Sequence, residues 1–184
     1  MRENSPTTAL LIMDMQAGNN PLAAALASTA AQAVAAARTK GCLIIYVVIG
    51  FRPGAPEAGA HNKIFGHQER FARLNMADFM QLSPGLTPQP DELIVTKRRV
   101  SAFTGSDLEV VLRASGIQHL VLAGIATSGV VLSTLREAAD KDYGLTVLAD
   151  ACGDADEEVH RVLTTKVFPR QAEVVTVAEW AGEA

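Results

Sequence analysis

Five consecutive apolar residues, Ala9-Leu10-Leu11-Ile12-Met13, stop abruptly at Asp14. The run is too short for a helix and does not alternate, which is the pattern of a strand covered on both faces that emerges at a sheet edge. Similar runs follow at Leu43 to Ile49, Leu93 to Val95, Leu120 to Ala123, Leu145 to Ala149 and Ala172 to Thr176, so six strands are predicted. Between the first two, Pro21 opens an alanine-rich stretch that reaches Thr39, with Gly41 placed to end it. Leu22, Leu26 and Val34 are candidates for its buried stripe. Further helices are predicted over Asp107 to Ser115, Ser128 to Tyr143 and Asp156 to Thr165, with Gly116, Gly144 and Pro169 near their ends.

Strand and helix alternate, and parallel crossovers of this kind are right-handed. The pattern therefore predicts an α/β protein, a three-layer α/β/α sandwich on a parallel sheet, forming one domain over residues 1–184. One segment breaks the alternation. Gly50 to Asp91 is rich in Gly and Pro and has helical patches only within Gln68 to Gln81. An insertion of that length is expected to be a lid, a pocket wall or an interface arm.

Composition narrows the function classes. At 184 residues, 48% hydrophobic and 20% charged, the chain is an ordinary globular domain. A net charge of −4 supplies no basic field for a phosphate backbone, so nucleic acid is not an expected partner. The apolar stretch from Leu43 to Phe51 falls far short of the roughly 20 residues of a bilayer span. The start of the chain, Met1 to Pro6, lacks the long apolar region of a signal peptide. Two cysteines, Cys42 and Cys152, make neither a disulfide framework nor a C-x-x-C site. A cytoplasmic location is the expectation.

In open α/β sheets ligands bind beyond the carboxyl ends of the strands, where strand order reverses. Three segments fall there: Asp14, Lys97 after Leu93-Ile94-Val95-Thr96, and Gly124-Ile125-Ala126-Thr127-Ser128-Gly129-Val130. Together with Leu11 to Gln16, Lys97 to Phe103 and Leu148 to Cys152, these pieces occur in the order and spacing of the isochorismatase-like hydrolases, a family that includes nicotinamidases and other cysteine hydrolases. The chain resembles that family from about Ala9 to about Thr176. The resemblance implies a six-stranded parallel sheet of order 3-2-1-4-5-6. It also implies that Asp14 is the proton-transferring carboxylate, that Lys97 is its electrostatic partner, and that a cis peptide bond joins Ile125 to Ala126.

The same alignment carries a departure. Setting the family's G-x-x-T pattern on Gly124 and Thr127 puts the nucleophilic cysteine at Val130, a residue with no nucleophilic atom. What remains are the Ala126 and Val130 amides, near a helix N-terminus, as candidate holders of an anionic oxygen. Members acting on the vinyl ether of isochorismate are implied to need only the carboxyl acid. The leading expectation is thus a small-molecule hydrolase without the cysteine nucleophile. The alternative is an inactive ligand-binding or interaction module that keeps the fold.

Other residues have plainer readings. An Asp after a strand often serves only as a turn former or cap, and Lys97-Arg98-Arg99 reads as a solvated basic patch. Cys152 is expected to be a small packed residue, with a relocated nucleophile as the lesser possibility. Thr127 or Ser128 is expected as a helix cap, and no histidine in their motif activates them or Ser133. Arg52 is a candidate clamp for a substrate carboxylate or an exposed loop residue. His61 and His67 lack ligand spacing, so no metal and no cofactor are expected. Trp180 and the tail to Ala184 are expected to pack or fray. Association into homo-oligomers is expected, with the insertion completing a neighbouring pocket.

Overall fold

The computed structural model describes residues 7–18 and 21–182. The leader-peptide reading of residues 1–6 lies outside them, as do the last two residues of the tail. Six strands form one parallel sheet: β1 (Thr8–Met13), β2 (Leu43–Ile49), β3 (Leu93–Lys97), β4 (His119–Ile125), β5 (Gly144–Gly153) and β6 (Glu173–Val175), in the order β3-β2-β1-β4-β5-β6. Among the described residues seven α-helices accompany them: α1 (Pro21–Thr39), α2 (Gln68–Ala72), α3 (Met76–Phe79), α4 (Leu108–Ala114), α5 (Leu132–Asp140), α6 (Glu157–Val162) and α7 (Val177–Ala181).

The unbroken apolar run of β1 has a direct cause. Ala9, Leu11 and Met13 enter a core with Val95, Leu108, Leu112 and Leu135, whereas Leu10 and Ile12 enter a second core beneath α1. Both faces are covered, so neither parity is polar. The buried stripe of α1 differs from the expected one. It consists of Ala23, Ala27, Ala30, Ala33, Val34 and Ala37, whereas Leu22 and Leu26 are only half-buried. Alanine brings the helix axis close to the sheet, and Leu22 and Leu26 cover Gly153, where any Cβ would stand 2.8 Å from Leu26.

Two elements depart from their predicted bounds. The expected helix over Ser128 to Tyr143 begins with a wide π-type turn, Thr127–Val131, and becomes regular only at Leu132. β5 continues past Ala149 to Gly153 through an irregularity: Leu122 pairs with Val147, but Gly124 pairs with Cys152. The extra residues lift Asp150 outward, where Oδ1 accepts from the amide of Val177 at the start of α7.

The insertion has its own small core of Phe51, Ala55, Ala58 and Phe65, backed by Phe71, Met76 and Val100. It is tied to the sheet by polar side chains. Gln16 donates Nε2 to the carbonyls of Ile49 (3.2 Å) and Phe79 (2.6 Å), and its Oε1 accepts from the Ile49 amide at 2.8 Å. The basic-patch reading of Arg98 and Arg99 is corrected by the same region. Arg98 donates to Gly50 O (2.8 Å), and Arg99 donates to Glu57 O (2.8 Å) while lying over the Phe65 ring. Both are half-buried because the insertion folds back over them. No helix among the described residues is long and apolar enough to cross a membrane.

Candidate functional site

Parallel topology brings the carboxyl ends of β1, β3 and β4 to one side of the sheet. Register makes the placement specific: Met13 lies opposite Gly124 on β4 and Val47 on β2, and Ile49 lies opposite Lys97 on β3. β1 and β4 approach so closely that a Cβ on Gly124 would stand 2.2 Å from the Met13 carbonyl oxygen. Gly124 also has φ +147°, a conformation that favours glycine. Without that residue the loop carrying Thr127 to Val130 could not start beside Asp14.

Asp14 itself takes a left-handed backbone, φ +57°, and its amide donates to Val47 O at 2.8 Å. This turn interrupts the strand alternation and aims the carboxylate across the strand ends. β2 separates β1 from β3, so a partner on β3 must reach across about two strand spacings. Lys97 has that reach: its Nζ lies 2.9 Å from Asp14 Oδ2. The ammonium also donates to the carbonyls of Arg99 (2.9 Å) and Val100 (3.1 Å), which fills its three donor positions.

The pair is unevenly buried. The Lys97 side chain is 1% exposed, the Asp14 side chain 19%. Asp14 Oδ1 is enclosed and has no hydrogen-bond partner. Burial raises the Asp14 carboxyl from its ordinary range to about 6, against the opposing pull and hydrogen bond of Lys97. A carboxyl that titrates near neutrality, with one oxygen held and the other free, is equipped to deliver or take a proton.

Val130 is 2% exposed and packs into the core that holds Met13, Val95, Ala102 and Phe103. That core also takes in the residue immediately before Asp14 and the residue two before Lys97. The peptide bond between Ile125 and Ala126 is cis, as the family resemblance implies. The carbonyl of Ala126 accepts from the amides of Gly129 (3.0 Å) and Val131 (3.3 Å), which curls the loop into its wide turn.

The remaining candidates fall outside this group. Arg52 is two-thirds exposed and ion-paired with Glu57 at 2.6 Å, its charge already matched. Burial pushes the Cys152 thiol up to about 12, and its Sγ faces the Leu122 carbonyl at 3.9 Å, so it is a packed residue of β5. His61 and His67 lie exposed in the insertion. Among the described residues no group of three His, Cys, Asp or Glu side chains is gathered as metal ligands.

Two features were not visible in the motif. Thr127 does not cap its helix with its own hydroxyl. Its Oγ1 lies 2.8 Å from His160 Nδ1, and the Ser128 amide is instead taken by Asp154 Oδ2 at 2.7 Å. Asp154 and His160 come from the segment after β5, some thirty positions on, and no local spacing signals them. Gln16 was within the first motif, but its role as a bridge to the insertion follows from contacts at separations of 33 and 63 residues.

Comparison with known proteins places the chain in a family. A sequence model of the isochorismatase domain matches residues 8–179. The chain is 31% identical to an uncharacterized isochorismatase family protein, YecD of Escherichia coli, covering 96% of this chain and 95% of that one. It is 37% identical to the ureidoacrylate amidohydrolase RutB of Variovorax paradoxus over 66% of its own length, and the match spans about half, 53%, of that enzyme. The structure of an isochorismatase family protein from Burkholderia thailandensis superposes with a TM-score of 0.82 at 29% identity, covering 98% of each chain. With the family pattern matched over nearly its whole length and the same sheet beneath it, the chain belongs to the isochorismatase family of hydrolases.

Proposed function

We propose that this chain hydrolyses a small molecule by acid catalysis from Asp14, with Lys97 as electrostatic partner and with Val130 at the position where cysteine hydrolases of the family carry their thiol. The observation that carries the proposal is the Asp14–Lys97 pair: a 2.9 Å contact, an enclosed and unpartnered Oδ1, and a carboxyl raised to about 6. A valine cannot form an acyl intermediate, so amide hydrolysis through that position is chemically closed. Enol-ether hydrolysis remains open to the groups present. Asp14 gives its proton to the enol carbon, leaving an oxocarbenium ion; water adds to that cation and returns a proton to the carboxylate. The resulting hemiketal then divides into a carbonyl compound and an alcohol. The amides of Ala126 and Val130 offer an anionic group of the substrate a place to rest, and the enclosed Lys97 charge acts on it through space.

The test is a turnover screen of enol ethers and of amides, the latter including ureido acids of the kind that RutB's name specifies. Enol-ether turnover that disappears in Asp14→Asn is expected, with a rate that declines as pH rises through about 6, because the acid form is the active one. Amide turnover that exceeds enol-ether turnover would overturn the proposal. Binding without turnover of either class would replace it with the ligand-binding reading.

A further inference from the structure

The connection after β5 and the helix α6 that follows it grip two consecutive residues of the loop after β4. Asp154 Oδ2 accepts the Ser128 amide at 2.7 Å, and His160 Nδ1 meets the Thr127 hydroxyl at 2.8 Å, across sequence separations of 26 and 33 residues. Thr127 has no exposed surface, so this hydroxyl has no water to replace the ring.

The helix that carries His160 is itself held. Asp156 Oδ1 accepts from the amides of Glu158 (2.9 Å) and Val159 (3.2 Å) and so fixes the start of α6, and Thr164 Oγ1 donates to the His160 carbonyl at 2.8 Å. The gripped segment, by contrast, is not a regular helix. Gly129 has φ −97° and ψ −106°, and the turn closes through Ala126 O instead of an ordinary helical ladder. A segment of this shape needs outside contacts to choose one conformation.

We propose that His160 and Asp154 are positioning residues for the 126–130 loop: the Thr127–His160 contact sets the Thr127 side chain and backbone, and Asp154 fixes the next amide, so that Ala126 and Val130 face the Asp14–Lys97 pair. The inference rests on the proposed role of that loop in holding substrate. It also assigns Thr127 no part as a nucleophile, since its hydroxyl is enclosed and turned toward α6.

Four variants test it: Thr127→Val and His160→Leu, which remove the contact, and Thr127→Ser and His160→Asn, which keep a polar atom near the same place. Hydrogen exchange of the amides across residues 126–132 is the first readout. Loss of the contact is expected to weaken protection there about tenfold in Thr127→Val and His160→Leu, with protection kept in Thr127→Ser and His160→Asn. Unchanged exchange, or an equal loss across the whole sheet in all four, overturns the inference.

The second readout is the iodoacetamide rate of the thiol introduced by Val130→Cys, which is expected to change at least threefold only in the two contact-removing backgrounds. A thiol that is unreactive in the otherwise native chain counts against the proposed function, whereas the exchange data decide the positioning role independently.

Discussion

Replacing Lys97 with methionine removes the cation beside Asp14 and keeps an unbranched side chain of similar length in a slot that is 1% exposed. At 2.9 Å the attraction in an effective dielectric near 20 is about 6 kcal/mol, an upper figure for a carboxylate that keeps 19% exposure. About half of it, roughly 3 kcal/mol, corresponds to about two pKa units. Asp14 should therefore titrate at about 8 in the variant, two units above its value of about 6 in the native chain.

The unfolded carboxyl titrates near 3.8 in both proteins. In each, the folded state holds the proton more tightly, so stability is highest below that value and falls as pH rises through the folded pKa. The native chain completes this loss just above its folded value of about 6. The variant continues to lose stability for about two further pH units. Its destabilisation relative to the native chain should thus be about 3 kcal/mol larger at about pH 9 than at about pH 5. A pH-independent cost of about 1–3 kcal/mol accompanies it, because the carbonyls of Arg99 and Val100 lose their donor. Urea unfolding at the two pH values, with the Asp14 carboxyl followed by carbon NMR, measures both parts. Equal destabilisation at both pH values, or an Asp14 that titrates at or below its native value, would refute the assignment of burial and Lys97 as the opposing causes.

Gly124→Ala should cost about 3 kcal/mol or more and abolish any turnover, because the new Cβ meets the Met13 carbonyl at 2.2 Å where neither backbone can yield; thermal unfolding showing a loss under about 1 kcal/mol would contradict the close approach. Cys152, pushed to about 12, should resist iodoacetamide in the folded protein near pH 8 and label only on unfolding. Cys152→Ala should keep turnover at a stability cost of about 1 kcal/mol, and rapid native labelling with loss of activity would restore the relocated-nucleophile reading.

The strands and their burial were legible in the apolar runs. Ala9 to Met13 and Leu43 to Ile49 are apolar at both parities, and only a sheet covered on both faces accepts that pattern. The runs also marked Asp14, Lys97 and the Gly124 loop, because ligands gather where strands of such a sheet end. Boundaries were less legible where a local pattern was overridden by packing: α1 buries alanines instead of its leucines, and β5 runs on through a bulge because Gly124 and Cys152 re-form the ladder.

Tertiary structure alone decided the rest. Whether Lys97-Arg98-Arg99 was a surface patch depended on the insertion folding over it, and only then did one lysine become enclosed against Asp14 while the two arginines bound carbonyls of the insertion. The partnership of Thr127 with His160 and of Ser128 with Asp154 had no local signature, since each joins elements that only the sheet order brings together. Local spacing reports the period of an element and the chemistry at its end. Which of those ends meet, and how much water is left between them, is set by contacts distant in the chain, and the water those contacts exclude is what raises the Asp14 carboxyl.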